Sequence, residues 1–263
     1  MTTPTTTSTD RCARHMCDFM ARYAVWLFGS GSTCIRLEKN LQRIAAAAGV
    51  EVEITVLPRH IHLTVREPAD GDTVTTIASI RPLPVSYDLI TRLSRLSWDI
   101  ADGSLPCDRA DTELDNIISS ARSDIPGLPL LVGAANASFC RLFGGDAIAM
   151  GVVFVATVAG FILKQMLAER HTDPRIIVIA CSFVSAVLAA ADGLFGLGAT
   201  PAVAIGSSVL YLVPGIPFIN SFSDMIDGHY ICAFGRMMQA VVITCCLSAG
   251  LCFGMFLMNI GMF

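Results

Sequence analysis

The sequence predicts an α+β cytoplasmic domain, with helices flanking a small three-stranded antiparallel sheet, followed by an all-α membrane domain of five transmembrane helices, the fourth broken at Pro214–Pro217. Three observations lead there. Residues 1–126 carry 13 Lys/Arg and 16 Asp/Glu, whereas residues 127–263 carry only 5 and 6. Alternation of apolar and polar residues is confined to residues 50–80, between segments of helical period. After residue 127 one apolar run follows another, and the run Ala199–Ser223 has no charge at all. The expected division is a disordered tail over 1–9, a cytoplasmic domain over 10–125 and a membrane domain over 126–263, an ordinary size for two domains.

The Thr-rich start has no apolar core and is not expected to be a signal peptide. From Asp10 to Phe28 the spacing of Met16, Phe19, Met20, Tyr23 and Leu27 predicts a helix with one buried face. Gly29-Ser-Gly-Ser ends it. This turn superficially suggests a phosphate loop, but no strand precedes it and no Lys-Ser/Thr follows. It reads as a connection to a second helix, Cys34–Ala48, capped by Ser32 or Thr33 and stopped by Gly49. Ile35, Leu37, Leu41 and Ile44 are expected to face inward.

Three strands are expected next: Val50–Leu57, Ile61–Val65 and Thr73–Ile80, the last two joined by a turn at Pro68–Asp72. His60 and His62 share one face of the middle strand, without a third ligand to make a metal site. Tyr87–Ile100 repeats Leu89, Ile90, Leu93, Leu96 and Ile100 at helical spacing. Asp108–Ala121 opens with Asp108, Asp111 and Glu113, acids that suit the positive end of a helix. No nucleophile–base pair and no basic, aromatic-studded surface is evident, so neither catalysis nor nucleic-acid binding is supported.

The apolar segments are Leu128–Leu142, Asp146–Leu167, Pro174–Ala191, Ala199–Ser223 and Ile231 to about Asn259. The first is short, since about 20 residues cross a bilayer. Lys164, Arg170, Arg175 and Arg236 lie on one side of the five spans and only Arg141 on the other. The richer side is cytoplasmic, which places the first domain in the cytoplasm and the C-terminus in the periplasm. Gly250-x-x-x-Gly254 and Ala202-x-x-x-Gly206 are spacings that let helices approach closely. Ten cysteines are scattered without metal-ligand spacing, and the six in the apolar half read as small packing residues.

Val213-Pro-Gly-Ile-Pro-Phe-Ile-Asn220 is the most informative stretch. Each proline removes an N–H, and in lipid such a break is tolerated only where protein or a wet cavity satisfies the freed groups. It reads either as a plain kink or as a broken helix exposing backbone to a polar solute. On the second reading Asn136, Pro214, Gly215, Pro217 and Asn220 bind substrate, and Asp224, His229 and Arg141 serve proton coupling or gating. No catalytic residue, metal or cofactor is expected.

Several segments carry a family resemblance. They are Arg36-Leu-Glu-Lys-Asn-Leu-Gln-Arg-Ile-Ala after Gly-Ser, the Ile77–Pro82 strand end, Phe139-Cys-Arg-Leu with Gly144-Gly-Asp, and Lys164-Gln to Arg170-His. Leu212-Val-Pro-Gly-Ile-Pro-Phe-Ile-Asn with Asp224-Met and Gly228-His completes them. The chain resembles the threonine/serine exporter (ThrE) family, most closely its split form, similar to the larger (YjjP-like) subunit of a two-subunit succinate exporter. The resemblance implies a cytoplasmic domain and five spans in the bacterial inner membrane. It also implies export of a small carboxylate substrate, succinate-type or threonine/serine. Fused members carry a second membrane half, which this chain lacks at Phe263. A separate small membrane subunit (YjjB-like) and an oligomer in the lipid bilayer are therefore expected. The alternatives are a membrane-anchored enzyme or metabolite-sensing receptor with an active cytoplasmic domain, and a scaffold for a pore formed wholly by the partner.

Overall fold

A computed structural model describes residues 8–68, 73–81, 83–121, 127–196 and 198–258. The chain forms two compact units, Met1–Ser123 with Ile216–Met237, and Asp124–Gly215 with Met238–Phe263. The expected tail falls mostly outside the described residues, as does most of the turn at Pro68–Asp72.

In the first unit, α1 (Ser8–Gly29) and α2 (Cys34–Ala48) precede β1 (Glu51–Val56), β2 (His60–Arg66) and β3 (Thr73–Ser79). The strands pair antiparallel in the order β1-β2-β3. β2 alternates without exception: Ile61, Leu63 and Val65 are buried, while His60, His62, Thr64 and Arg66 point away. α3 (Tyr87–Ala101) and α4 (Cys107–Ser120) follow. α1 crosses β2 and β3 and sends Met16, Phe19, Met20, Tyr23 and Leu27 into the core. Such side chains contribute roughly 1.5–3 kcal/mol each when fully buried.

Polar groups in that core are paired. Tyr23 OH donates to Leu93 O at 2.8 Å and accepts from Asn40 Nδ2 at 2.9 Å. Arg43 donates to Ser97 Oγ at 2.6 Å while lying 3.6 Å over the Trp98 ring. The acids of α4 face α1, with Asp111 2.9 Å from Arg22. Ser86 caps α3 by accepting from Leu89 N, and Gly49 closes α2 in the left-handed conformation (φ 70°). Ile35 is only half-buried, unlike Leu37, Leu41 and Ile44, because it lies toward the edge of the inward face of α2.

The second unit holds α5 (Leu128–Leu142), α6 (Ala147–Glu169), α7 (Pro174–Leu194) and α8 (Pro201–Ser208), then a 3-10 turn at Leu210–Leu212. After a break comes α9 (Gly215–Ile226), and α10 (Tyr230–Leu257) ends the order. α6, α7 and α10 are long and apolar enough to cross a membrane; α8 and α9 form a bent pair that makes a fourth if counted as one span. α5 is apolar but only 15 residues long. The third apolar segment extends beyond the expected Ala191 to Leu194, which brings Asp192 into α7.

Close helix packing follows the small residues. Gly250 backs onto Ile179 and Ser182, and a methyl at Gly254 would stand 2.8 Å from Ala186 Cβ, so α10 meets α7 along that pair. The Ala202/Gly206 pair does not act this way. Gly206 has open space before it and Ala202 is exposed, because the buried face of α8 is Ala204, Ile205, Ser207 and Ser208.

Candidate functional site

The break falls at Val213–Pro214. Val213 is extended (φ −63°, ψ 126°), and its carbonyl accepts from Gly215 N at 2.9 Å. Pro217 is not part of the break: it sits in the first turn of α9, where an N–H has no intrahelical partner to lose. α9 reverses the usual arrangement of a surface helix. Ile219, Phe222 and Ile226 are exposed, while Ser221 and Asp224 are fully buried. Apolar side chains outward and polar ones inward is the pattern of a helix whose surroundings are hydrocarbon.

Inside the first unit those polar residues seize the turn between α1 and α2. Asn220 Nδ2 donates to Gly31 O at 2.7 Å. Arg236 Nη2 donates to Ser32 O at 2.6 Å, and Arg236 lies 4.3 Å over the Phe28 ring. Asp224 Oδ1 accepts from Cys34 N at 2.8 Å, and its Oδ2 is 3.0 Å from Arg236 Nη1. The expected capping of α2 by Ser32 or Thr33 is therefore corrected: Thr33 makes no side-chain cap bond, because the carboxylate of Asp224 takes that position with a full charge at the positive helix end. Gly31 adopts φ 97°, which a side chain would resist. His229 Nε2 lies 3.5 Å from Glu38 Oε1.

Cys34 Sγ, Cys232 Sγ and the Asp224 carboxylate lie within 4.8 Å of one another, all buried. The hydrogen bond to Cys232 and then burial push the Cys34 thiol well above its ordinary value. Arg236 already balances the one charge in this group, which argues against a metal there.

The second unit has a polar seam within its apolar helices. Asn136 Nδ2 donates to Thr157 Oγ1 at 3.1 Å, and Thr157 Oγ1 reaches Ser208 O at 3.5 Å. Ser185 Oγ and Tyr211 OH are 3.1 Å apart, beside Gly160, where no methyl fits. Asn136, Thr157, Ser182, Ser185, Ser207 and Ser208 are all buried. At one end Asp146 caps α6: Oδ1 accepts from Ala149 N at 2.7 Å and Oδ2 from Ala199 N at 2.6 Å. These N–H groups hold its carboxyl below the ordinary carboxylate range. Asp192 lies beside it, 0 % exposed, and neither oxygen has a hydrogen-bond partner among the described residues. Arg141 spends a guanidinium N–H on Gly145 O at 3.1 Å.

The residues expected to form one site are thus held in two sets. Asn220, Asp224 and His229 engage the α1–α2 turn and Glu38, whereas Asn136 belongs to the seam with Thr157. Sequence reasoning missed Thr157, Ser185, Tyr211 and Asp192. Asp192 carried the clearest signal, a charge in an apolar run, but ending that run at Ala191 set it outside.

The family model described as "Putative threonine/serine exporter" (ThrE) matches residues 18–258. "Probable succinate transporter subunit YjjP" of Klebsiella aerogenes is 28 % identical over 88 % of this chain and 90 % of its own length. The protein of the same name from Escherichia coli K12 is 26 % identical over 86 % and 88 %. "Probable threonine/serine exporter" of Mycobacterium tuberculosis is 24 % identical over 92 % of this chain but 46 % of its own length. No solved structure matches the chain.

Proposed function

Because the chain belongs to the threonine/serine exporter (ThrE) family, we propose that it is the larger subunit of a secondary-active exporter in the bacterial inner membrane, moving a small carboxylate solute outward. Family membership makes it a multi-pass transporter, so the reading of a membrane-anchored enzyme falls away. A succinate-type dicarboxylate is the leading solute, after the two YjjP proteins, and threonine or serine the second. The word "subunit" in those names supports a separate partner, here a small YjjB-like membrane protein.

The single observation that carries the transport reading is the seam of buried Asn136, Thr157, Ser185 and Ser208, with half-buried Tyr211, among apolar helices. Polar groups among lipid-spanning helices are expensive, pair with one another and mark solute pathways. Asn136 is proposed to contact the carboxylate, with backbone groups at Pro214 and Gly215. For Asn220, Asp224 and His229 the bonds to Gly31, Cys34 and Glu38 support positioning rather than contact with solute. Pro217 supports the start of α9, and Arg141 the end of α5.

The proposed topology has five spans, with α5 first and the α8–α9 pair read as one broken span. Residues 10–125 are proposed as the cytoplasmic domain, 126–263 as the membrane domain, and the C-terminus as periplasmic. Lys164, Arg170 and Arg175 around the α6–α7 connection support that orientation. Two experiments test the reading. Liposomes holding this chain with and without the partner are assayed for succinate, threonine and serine flux, and absence of all three fluxes refutes it. Alkaline-phosphatase fusions at the C-terminus test the topology, with an inactive fusion against it.

A further inference from the structure

The Asp192–Asp146 pair is not explained by packing. A methyl at Gly198 would stand 2.8 Å from Asp192 Oδ1 and 2.9 Å from Asp146 Oδ2, so both carboxylates converge on one spot and lie no farther apart than those distances allow together. Asp146 is an anion fixed by two backbone N–H groups. Asp192 has no donor at all among the described residues, and it is fully buried. A buried carboxylate beside a second one requires a positive counterpart. None comes from the described residues of the neighbouring elements. On α5, Cys140 shares the corner with Ser207, Asp146 and Asp192, and Arg141 is turned to Gly145 O. The start of α8 offers Thr200 Oγ1, which accepts from Asp146 N at 3.0 Å. On α10, Leu251, Met255 and Met258 are the side chains packed against the buried alanines that precede Asp192.

We propose that Asp192 and Asp146 form the binding site of the monovalent cation, proton or alkali ion, that is exchanged against the exported solute. The site rests on the exporter reading above and deepens it by naming where coupling occurs. Two carboxylates meeting at a bare glycine give oxygen ligands of the kind hard cations take. Gly198 leaves the space for the cation. In the proposed orientation the pair faces the periplasmic end, from which the driving cation enters.

Two measurements on the full chain in liposomes with its partner decide the matter. Dicyclohexylcarbodiimide, which attacks protonated carboxyls in apolar surroundings, is expected to label Asp192, as mapped by mass spectrometry. Sodium protects Asp192 if the cation is alkali; only raising the pH protects it if the cation is the proton. No label at Asp192, or a label indifferent to both, overturns the site. In transport, Asp192→Asn is expected to lose gradient-driven flux while retaining solute–solute exchange. Gly198→Ala, which keeps both carboxylates and fills the space, is expected to do the same. Gradient-driven flux at the wild-type level in either variant overturns the proposal but leaves the exporter reading intact. Absence of any flux in the wild type removes the exporter reading, while the labelling still decides the site.

Discussion

Arg236→Met is the sharpest test of how the first unit is held together. The methionine keeps an apolar stem over Phe28 but removes the guanidinium that lies 3.0 Å from Asp224 and bonds Ser32 O. Asp224 has a side-chain exposure of 0 % and Arg236 of 14 %, so water cannot replace the lost partner. Stranding one member of such a pair costs about 3–5 kcal/mol. Asp224→Asn is milder, because Oδ1 can still accept from Cys34 N and Arg236 keeps Ser32 O. Loss of charge in those bonds costs about 1.5–3 kcal/mol. The double variant is expected to cost less than the two singles together by about 1–3 kcal/mol, the coupling of direct neighbours. The assay is intrinsic. Trp26 and Trp98 are the two tryptophans and both lie in the first unit, so their fluorescence during urea unfolding reports that unit. With a slope of about 2 kcal/mol/M, Arg236→Met moves the midpoint down by about 2 M. A shift worth less than about 0.5 kcal/mol, as for a surface substitution, or strict additivity in the double variant, refutes the buried pair.

Further outcomes follow from other contacts. Tyr23→Phe removes the donor to Leu93 O and the acceptor for Asn40; it is expected to cost about 1–3 kcal/mol in the same fluorescence transition. Gly160→Ala drives a methyl into the Ser185 and Tyr211 hydroxyls. It is expected to destabilise the second unit by about 1–3 kcal/mol, read as an earlier loss of the monodisperse peak on heating before size exclusion. The carboxyl of Asp146 is held low by Ala149 N and Ala199 N. A depressed folded value means its contribution is complete above the ordinary carboxylate value of about 3.9 and is lost as pH falls through the lowered one. Asp146→Asn should therefore flatten the acid limb of the melting-temperature profile and leave its shape above pH 6 unchanged.

Much of the fold was legible because it is local. The helix α2 and the short α5 begin and end where Thr33, Gly49, Gly127 and Phe143 flank them, and the strands follow strict alternation. The family, too, was readable from ordered short segments, which the match over residues 18–258 bears out. What was not legible is what lies far apart in the chain. Nothing near Ser32 or Thr33 announces that Asp224 will cap α2, and no local pattern ties Asn220 to Gly31. A polar residue after a proline break looks the same in sequence whether it meets a solute or a backbone carbonyl. Asp192 was obscured differently. Hydropathy ends a span at the first charge, whereas the helix continues for as long as its hydrogen bonds do, here to Leu194.

The grip on the α1–α2 turn also sets an order of events during synthesis. Gly31, Ser32 and Cys34 leave the ribosome early, yet the side chains that complete them follow 189, 204 and 190 residues later. Domains generally mature from the N-terminal end as they are made, but this one must wait, its first loop open, until the final helices have been delivered. A nascent chain that stalls before Arg236 would thus carry its defect near its own beginning, at Ser32 and its neighbours.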